Sequence, residues 1–432
     1  MLSMELFRED PETIRASERR RDKDPERVDE VVALDEEWRE ARQRADELRA
    51  ERNDLSAAVA EKKQAGESAE EEIERVNEIK EEIAALEAKE EELKEERDEL
   101  RYQVGNVLHD SVPQGEDEGD NEEIDRWGEK PDHGFDVVPH ADLVEDLDGA
   151  DTEKAAEVTG SRWYYLKRDL VDLNLGLQRF ALDRLREAGF VPMQTPYVLG
   201  HEAMSAAAEL EDFEEQLYGI EGDDAYLIAT SEQTLGAYHY DEILEPASLP
   251  RKYAGLSTSF RREAGSHGKD TKGIFRVHQF EKVEQYVFCD PDESWDRMEE
   301  LRELAESLYR DLDLHYRVVN VCTGDMNDNA AKKYDVEAWF PAQDRYRELV
   351  SCSNCTSYQA RKLGVRMRGE ENPTVHTLNA TAIATQRTIC AILEQHQRAD
   401  GSVAVPAALD EYVAADVIEP PVEDGGVDDA DG

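Results

Sequence analysis

The segment YAGLSTSFRREAG, Tyr253 to Gly265, leads into a glycine-containing loop, SHGKDTKG, and then into IFRVHQFEKVEQYVF, Ile274 to Phe288. Two strand-like runs on either side of such a loop predict a β-hairpin with an extended connection. On the first predicted strand Arg261 and Glu263 share one face, because side chains alternate along a strand. The corresponding face of the second predicted strand carries Arg276, His278, Phe280, Lys282 and Glu284.

The charges of this hairpin have two interpretations. Arginines and acidic residues this close together are compatible with a salt-bridged surface. Alternatively, two arginines directed at one face bind the oxygens of a phosphate in a bidentate manner. The hairpin by itself leaves both interpretations open.

A helix is predicted before the hairpin, with one apolar face formed by Leu170, Leu173, Leu177, Ala181 and Leu185. Gly189 ends this helix, and FVPMQTPYVL then predicts a strand that is broken at Pro192 and Pro196. Taken alone, this pattern indicates packing.

Polar residues in two further segments are candidates for chemistry. YLIATSEQTL places Thr230 and Glu232 two residues apart on a predicted strand, so that both side chains point to one face. An exposed strand face is the simpler interpretation of this pair in isolation. Further on, DRYRELVSCSNC carries Glu348 within another strand-like run.

The last third of the chain holds a cysteine pair and an isolated arginine. Cys352 and Cys355 form a CxxC, but structural zinc requires four ligands and no matching spacing occurs elsewhere, which favours packed thiols. TLNATAIATQRTICAILEQHQ contains Asn379 and Thr381 and continues as a predicted helix with Arg387 near its start. An arginine that emerges from a buried helix is costly unless it meets an anion.

From about Val28 to Val107 the sequence is rich in helix-forming residues and contains no proline. Alternating steps of three and four residues, the period of a coiled-coil seam, connect Val31, Leu34, Trp38, Ala41, Ala45, Leu48, Arg52, Leu55 and Val59. The same steps connect Val76, Ile79, Ile83, Leu86, Glu90, Leu93, Arg97, Leu100, Val104 and Val107. KQAGES, Lys63 to Ser68, predicts the turn of an antiparallel hairpin. A dimerisation coiled coil and an arm projecting from an enzyme both fit this pattern.

The formal charge of −52 is the most unusual bulk property of the 432-residue chain. Such a charge argues against a nucleic-acid partner, because phosphate groups would be repelled. At molar salt, however, the Debye length falls to about 3 Å, and the repulsion is then largely screened. Acidic residues occur along the whole chain, and only 16 of the 51 basic residues are lysine. We interpret this as adaptation to a very salty cytosol; a merely acidic mesophilic protein would leave the even spread unexplained.

The sequence also indicates the compartment. Neither a run of about 18 apolar residues nor an N-terminal apolar segment typical of secretion signals occurs, so we expect no membrane span and a cytosolic protein. The five cysteines are scattered over the C-terminal half and predict reduced thiols.

The order of the segments resembles the three motifs of class II aminoacyl-tRNA synthetases: a helix with a proline-ended strand, an FRxE hairpin, and a helix bearing an arginine. The sequence is most similar to the seryl-tRNA synthetases, through Thr230–Glu232 (TSE), Phe260–Tyr286, Glu348–Lys362 (ELVSCSNCTSYQARK) and Leu378–Thr388 (LNATAIATQRT). Ala380, Ala382 and Gln386 stand where many bacterial relatives carry glycines, which is closer to the archaeal and eukaryotic form. With the charge, this favours a halophilic archaeal source.

The resemblance implies a role for each matching residue. Arg261 would contact the α-phosphate of ATP, Glu263 the adenine, Arg387 the γ-phosphate, and Glu348 would hold Mg²⁺; Arg261, Glu348 and Arg387 are the implied catalytic residues. The implied ATP-binding residues are Arg261, Arg262, Glu263, Val277, His278, Gln279, Phe280, Glu348, Leu349, Val350, Ser351 and Arg387. The implied serine-binding residues are Thr230, Ser231, Glu232, Glu284, Asn379 and Thr381.

The resemblance also implies the reaction and the partners. The expected activity is that of a serine–tRNA ligase, which forms seryl-adenylate and pyrophosphate from L-serine and ATP and transfers serine to the 3′ end of tRNA(Ser). A homodimer whose interface is formed by the first motif is expected. Mg²⁺ is expected to accompany ATP, and no zinc is expected, because the sequence matches the ordinary subtype of the family and not the zinc-dependent one. The alternative is a catalytically silent synthetase-like binder, which would be expected to lack Arg261, Glu348 or Arg387; all three are present.

The expected fold is α+β, with an antiparallel catalytic sheet of six to eight strands flanked by helices. The predicted organisation is an N-terminal tRNA-binding domain at 1–108 that contains the coiled-coil arm at about 28–107, a linker at 109–135, a catalytic domain at 136–412 and an acidic disordered tail at 413–432. In the resembling family the arm grips the long variable arm of tRNA(Ser). The basic residues available for this are mainly Arg39, Arg42, Arg44, Arg49, Arg52, Lys62 and Lys63.

Overall fold

The chain folds as two units, Met1–Val107 and Leu108–Gly432. The computed structural model describes residues 1–208, 214–263 and 272–421. None of the helices it describes is long and apolar enough to cross a membrane.

The first unit is helical and contains the predicted arm. Its helices are α1 (Met4–Glu9), α2 (Pro11–Arg20), α3 (Glu26–Ala65) and α4 (Glu70–Tyr102). Helices α3 and α4 pack along each other, and α3 ends at Gly66, whose φ of 78° is the left-handed conformation that glycine readily adopts at a helix end. At 1.5 Å per residue, α3 is about 60 Å long. The antiparallel pair of long helices is therefore confirmed, although Val104 and Val107 lie beyond the end of α4.

An ionic cluster ties α1 to both long helices. The Asp35 carboxylate, 2% exposed, accepts hydrogen bonds from Arg8 Nε and Nη2 at 2.7 and 2.8 Å and from Arg97 Nη1 at 2.9 Å. Burial alone would raise the pKa of Asp35, but the two guanidinium groups outweigh it and lower the pKa. The carboxylate thus stays ionised and links three helices at one point of the hairpin.

The second unit combines eight described helices with a large sheet. Its helices are α5 (His140–Asp146), α6 (Thr152–Thr159), α7 (Asp169–Glu187), α8 (His201–Ala207), α9 (Ser231–Ala237), α10 (Ser294–Asp311), α11 (Tyr358–Lys362) and α12 (Thr385–Gln395). Its strands are β1 (Glu122–Trp127), β2 (Ala150–Asp151), β3 (Tyr165–Leu166), β4 (Val191–Gln194), β5 (Val198–Gly200), β6 (Tyr218–Gly219), β7 (Ala225–Leu227), β8 (Ile243–Leu244), β9 (Arg251–Phe260), β10 (Gln279–Cys289), β11 (Tyr316–Asn320), β12 (Lys332–Phe340), β13 (Arg345–Thr356), β14 (Arg366–Met367), β15 (His376–Ala384), β16 (Val403–Ala404) and β17 (Val417–Ile418).

The main sheet has eight strands in the order β1-β11-β12-β13-β15-β10-β9-β4. All neighbouring strands are antiparallel except the edge strand β4, which runs parallel to β9. Apolar side chains of α7, α10 and α12 cover one face and form the main core, while α8, α9 and α11 cover part of the other. The α+β fold with an antiparallel sheet is confirmed, and the partly covered face is available for a site.

Two predicted boundaries differ from the structure at the edges of this sheet. Residues 122–127, placed in the linker at 109–135, form β1 at one edge; its mostly charged side chains are tolerated because an edge strand is open to solvent. Strand β4 continues through Pro192, where a break was predicted, because an edge strand has one unpaired side on which a missing N–H costs nothing.

The first part of the predicted disordered tail, 413–421, is folded, contrary to the prediction. Val413 and Ile418 are buried in the main core, and β17 pairs with β16, so residues up to 421 belong to the folded unit. The remaining residues, 422–432, lie outside the described part of the chain, as do 266–271 of the predicted hairpin loop and the two residues before it.

Candidate active site

The TSE segment is not a strand, contrary to the prediction for Thr230 and Glu232. Thr230 is the N-cap of α9, and its hydroxyl accepts a hydrogen bond from the Glu232 N–H at 3.3 Å. The sequence Thr-Ser-Glu-Gln has the capping-box spacing of a helix start, a signal that the strand interpretation overlooked. Glu232 therefore lies in the first helical turn, where the helix dipole favours a carboxylate.

The Glu232 carboxylate is held through one of its two oxygens. Its Oε1 accepts hydrogen bonds from Asn379 Nδ2 at 3.1 Å and from Gln359 Nε2 at 3.0 Å. Burial, followed by the nearby charge of Glu284, raises the pKa of Glu232 to about 7. Asn379, predicted for the same site, is thus brought into direct contact with Glu232.

Glu284 is a second buried carboxylate in this pocket and already has a cation. Lys282 Nζ lies 2.5 Å from Glu284 Oε2, and the Thr230 hydroxyl donates to the same oxygen at 3.4 Å. Thr381 lies directly across from Glu284 in the β10–β15 ladder. Lys282 was not among the predicted site residues, although its position two residues before Glu284 on a strand places it on the same face.

A glycine lets α9 approach the sheet. A Cβ on Gly255 would lie 2.7 Å from Leu235 Cδ1 and 2.8 Å from Ser231 Oγ, closer than atoms pack. Ser231 uses this proximity to donate its hydroxyl to the Gly255 carbonyl at 3.2 Å. Of the predicted serine-binding residues, Ser231 is therefore committed to the backbone of the sheet.

Arg261 and Glu263 of the FRxE motif follow strand β9 instead of lying within it, because β9 ends at Phe260. The Arg261 guanidinium lies 5.3 Å from the Phe280 ring centroid, and its Nε donates to the Ala229 carbonyl at 3.3 Å. Glu263 has a φ of 51° and accepts a hydrogen bond from Arg276 Nη1 at 3.0 Å. Burial and then the charge of Arg387 lower the pKa of Arg261.

The second hairpin strand starts at Gln279, five residues later than predicted. Arg276 and His278 precede it; His278 Nδ1 lies 2.8 Å from the Arg261 carbonyl oxygen, so the two chain segments remain paired next to the ladder. Arg262 directs its guanidinium over the Tyr218 ring at 5.8 Å.

A β-bulge puts Glu348 and Ser351 on one face of β13. In the ladder with β12, Val350 pairs with Val336 but Glu348 pairs with Glu337, so Leu349 is the extra residue. The bulge changes the phase of side-chain alternation. Leu349 and Val350 accordingly both lie in the main core, and Glu348 and Ser351 face the opposite side.

A similar bulge occurs in β15 opposite Glu284. Glu284 pairs with Thr381 and Val283 with Ile383, which leaves Ala382 as the extra residue. Ala382 and Ile383 are both in the main core. Both bulges therefore lie next to predicted site residues.

Arg387 contacts Glu348 from the first turn of α12, as its predicted position near a helix start implies. Its Nη1 lies 3.3 Å from Glu348 Oε1 and donates to the Glu348 carbonyl at 3.1 Å. Burial would raise the pKa of Glu348, but Arg387 and then Lys333 and Arg261 outweigh it and lower the pKa. The carboxylate is therefore ionised and is surrounded by positive charge.

Two charged residues of β12 extend this cluster and were missed in the sequence. Lys333 and Asp335 lie on the same face as Ser351 through the β12–β13 ladder, with Lys333 Nζ 3.4 Å from Asp335 Oδ2. Burial raises the pKa of Asp335, although Lys333 opposes it. Lys333 and Asp335 stand two residues apart in KKYDVE, and this spacing was the signal from which their shared strand face could have been predicted.

Three predicted nucleotide-binding residues turn their side chains away from this face. Val277, Leu349 and Val350 are buried in the main core, so any contact they make with a ligand must come from the backbone. The five cysteines all lie in the described part of the chain, form no disulfide and are buried. Within residues 1–208, 214–263 and 272–421, no group of three or more His, Cys, Asp or Glu side chains is arranged to hold a metal ion.

The cations and carboxylates of both predicted sets act on one another. Arg387, Glu263, Glu348 and Glu284 all influence the pKa of Arg261, which in turn influences the pKa of Glu232. Chemically, this is one site in which guanidinium groups suited to phosphate oxygens adjoin carboxylates suited to an ammonium or hydroxyl donor.

Known proteins share this architecture. Residues 215–396 match the family described as tRNA synthetase class II core domain (G, H, P, S and T), and residues 1–108 match the seryl-tRNA synthetase N-terminal domain. The serine–tRNA ligase of Methanosphaera stadtmanae is 48% identical over 416 residues, covering 96% of this chain and 98% of that protein. The cytoplasmic serine–tRNA ligase of Arabidopsis thaliana is 46% identical over 435 residues, covering 97% and 96%. The crystal structure of Pyrococcus horikoshii seryl-tRNA synthetase complexed with ATP is similar at a TM-score of 0.94 and 44% identity, covering 98% of this chain and all of that one.

Proposed function

The chain belongs to the seryl-tRNA synthetases, the serine–tRNA ligases of class II, and we infer from this that its site catalyses two successive reactions. In the first, the L-serine carboxylate attacks the α-phosphate of ATP, forming seryl-adenylate and releasing pyrophosphate. In the second, the terminal hydroxyl of tRNA(Ser) takes the seryl group and AMP leaves.

The observation that carries the assignment of residues is the mutual proximity of Arg261, Arg387 and Glu348 beside the anchored carboxylate of Glu232. We propose that Arg261 binds the α-phosphate. The attack adds negative charge to the phosphoryl oxygens, and a fixed guanidinium stabilises that charge without reorganisation. Arg387 then binds the γ-phosphate, and Glu263 accepts a hydrogen bond from the adenine amino group.

The remaining nucleotide-binding residues surround these contacts in the proposal. Phe280 supports the Arg261 guanidinium at 5.3 Å, and Gln279 and His278 continue the same segment. Arg262 is held near Tyr218 and faces the incoming nucleotide. Val277, Leu349 and Val350 contribute backbone groups only, since their side chains are in the core.

We propose that Mg²⁺ accompanies ATP and is held by Glu348 and Ser351. The fit is supported by the bulge at Leu349, which puts both oxygen-bearing side chains on one face, and by the lowered pKa of Glu348. Carboxylate and hydroxyl oxygens suit Mg²⁺, which binds proteins through few groups and retains waters or phosphate oxygens. When bound, Mg²⁺ would neutralise charge on the phosphates. Glu348 supplies the ionised oxygen, and Arg387 must turn from Glu348 towards phosphate.

The serine pocket comprises Thr230, Glu232, Glu284, Asn379 and Thr381 in this proposal. Its buried carboxylates and amide need donors from the substrate, so an amino acid without the hydroxyl leaves polar groups unpaired. Such pockets discriminate by up to about 10⁴-fold. Threonine carries the hydroxyl and must be excluded by shape.

We propose that the N-terminal unit, Met1–Val107, binds tRNA(Ser) and that the second unit, which begins at Leu108, is the catalytic domain. Most arm cations are already paired; Arg49, for example, contacts Asp46 and Glu87 at 2.5 and 2.8 Å. Within the described arm, Arg52 and Lys63 have no ion-pair partner, which leaves them available for phosphate. Recognition in this acidic arm then depends more on shape than on charge.

We propose a homodimer, and the first motif supports it. Leu175 of α7 and Val191 of β4 are 56% and 55% exposed, and β4 is a sheet edge with one side unpaired in the described part of the chain. Exposed apolar residues beside an open edge favour pairing with a second copy. Light scattering is expected to give twice the chain mass of 49.1 kDa, and Leu175→Glu with Val191→Glu is expected to reduce it to one chain mass. A wild-type mass of one chain would contradict the dimer.

We propose that the enzyme works in the cytoplasm of a halophile. The net charge of −52 and the low lysine content support this. Reduced, buried cysteines and the cytoplasmic relative from Arabidopsis support the location.

Serine-dependent exchange of labelled pyrophosphate into ATP tests substrate and salt dependence together. The exchange is expected with serine and not with alanine or threonine, and it is expected to be faster at about 3 M than at about 0.1 M KCl, because screening removes self-repulsion. Exchange that falls steadily with salt would contradict the halophilic proposal alone. No exchange with serine at either salt would contradict the assignment of the site.

A further inference from the structure

Gln359 stands in the serine pocket although no predicted role includes it. It is the second residue of α11, is 2% exposed, and all of its amide hydrogen-bonding groups are used. Its Nε2 donates to Glu232 Oε1 at 3.0 Å and to the Ala207 carbonyl at 3.3 Å, and its Oε1 accepts from the Tyr286 hydroxyl at 2.6 Å. These contacts connect α8, α9, α11 and β10 at one side chain.

Two acceptors, Glu232 Oε1 and the Ala207 carbonyl, determine which way the Gln359 amide points, and the Tyr286 hydroxyl donates to the amide oxygen in that orientation. If the amide were flipped, its oxygen would face two acceptors, the Glu232 carboxylate and the Ala207 carbonyl, and the Tyr286 hydroxyl would meet an amino group. Gly236 allows the approach, since a Cβ there would lie 3.0 Å from the Tyr286 hydroxyl oxygen. The amide nitrogen is therefore held towards Glu232.

The contacts of Glu232 are one-sided. Gln359 and Asn379 both donate to Oε1, whereas no described residue donates to Oε2. The other carboxylate of the pocket, Glu284, is paired with Lys282, but among the described residues no cation lies within ion-pair distance of Glu232. Glu232 Oε2 is thus the carboxylate oxygen left for a donor from the substrate.

We propose that Gln359 is a positioning residue for serine: held by Tyr286, it fixes Glu232 through Oε1 so that Oε2 accepts a hydrogen bond from the ammonium or hydroxyl of the amino acid. This inference rests on the proposed serine pocket. It concerns the amino acid alone, since Gln359 makes no contact with Arg261, Glu348 or Arg387.

The test is pyrophosphate exchange by the full-length enzyme with Gln359→Met. The KM for serine is expected to rise about 10- to 100-fold, the effect of losing a hydrogen bond to a charged group, while the KM for ATP stays within about 2-fold. The acidic limb of kcat/KM for serine is expected to move to higher pH. The hydrogen bond from Gln359 stabilises the ionised form of Glu232, as do the charges of Lys282 and Arg261, whereas burial and the charge of Glu284 oppose ionisation. The loss of Gln359 is therefore expected to raise the pKa of Glu232 further.

Two further variants distinguish positioning from folding. Gln395→Met removes another buried glutamine, 7% exposed, which donates to the His315 and Trp339 carbonyls and contacts no serine-pocket residue, and it is expected to change stability but not the serine KM. Tyr286→Phe should raise the serine KM about 3- to 10-fold, and less than additively with Gln359→Met, because the hydroxyl acts through Gln359.

The outcomes separate this inference from the proposed function. The positioning role would be overturned if Gln359→Met had the wild-type serine KM and the wild-type acidic limb of kcat/KM, or if its KM rose equally for serine and ATP. Neither result would affect the proposed function, provided that the wild type shows serine-dependent exchange. Full additivity of the two variants would also overturn the positioning role. Absence of serine-dependent exchange in the wild type would overturn the proposed site itself.

Discussion

Arg261→Ala is expected to lower serine-dependent pyrophosphate exchange about 100- to 1,000-fold, the range seen when one donor to a developing oxyanion is removed. The guanidinium is already placed in the free enzyme, over Phe280 and against the Ala229 carbonyl. The loss should therefore appear in kcat, because the contact strengthens as charge builds on the α-phosphate. Exchange kinetics at saturating serine and ATP measure it.

Two variants control for charge and folding. Arg261→Lys keeps the charge but loses the planar fork, and its exchange rate is expected to lie between those of wild type and alanine. Arg126→Ala removes an exposed arginine paired with Glu123 at the sheet edge and should exchange like wild type. If Arg261→Ala retained exchange within about 5-fold of wild type, a margin of only ~1 kcal/mol, its α-phosphate role would be wrong.

Shortening the arm is expected to separate the two reactions. Removing residues 50–83 and rejoining the helices through a short Gly-Ser turn keeps the Asp35 cluster with Arg8 and Arg97. Exchange should stay within about 2-fold of wild type, whereas aminoacylation of tRNA(Ser) should fall about 100-fold or more, equivalent to ~2.8 kcal/mol of lost binding. The two assays on one preparation make the comparison.

A finer variant tests the same division without changing the length of the arm. Arg52→Glu with Lys63→Glu reverses two arm cations that lack ion-pair partners in the described hairpin, and it should weaken aminoacylation and not exchange. Arg44→Glu, at a position already neutralised by Glu47 at 3.3 Å, is the matched control. Loss of exchange in the shortened enzyme would mean that the arm supports the catalytic unit structurally.

The sequence predicted most accurately those features that depend on residues close together in the chain. The arm could be predicted because its seam repeats over many turns, with Gly66 between the helices. The motifs around Arg261, Glu348 and Arg387 are linear and could be recognised as such. Their proximity in space, seen in the Arg387–Glu348 contact, depends on strand order and could not be derived from alternation.

The misplaced residues have identifiable physical causes. Thr230 and Glu232 were assigned to a strand because two-residue spacing was weighed above the capping signal. Gln359 was missed because its importance comes from partners 73 and 127 residues away, Tyr286 and Glu232. Arg276 and His278 were predicted within a strand that begins only at Gln279, since pairing there involves single contacts instead of a ladder.

The bulges at Leu349 and Ala382 mean that the number of residues in these strands is itself part of the site. If β13 kept all its residues but paired with β12 without the bulge, Glu348 would turn to the helix-covered side while Ser351 stayed where it is. A residue inserted into β13 or β15 without a bulge to absorb it would therefore act like a frame shift: every residue keeps its identity, but those on one side of the insertion exchange solvent for core.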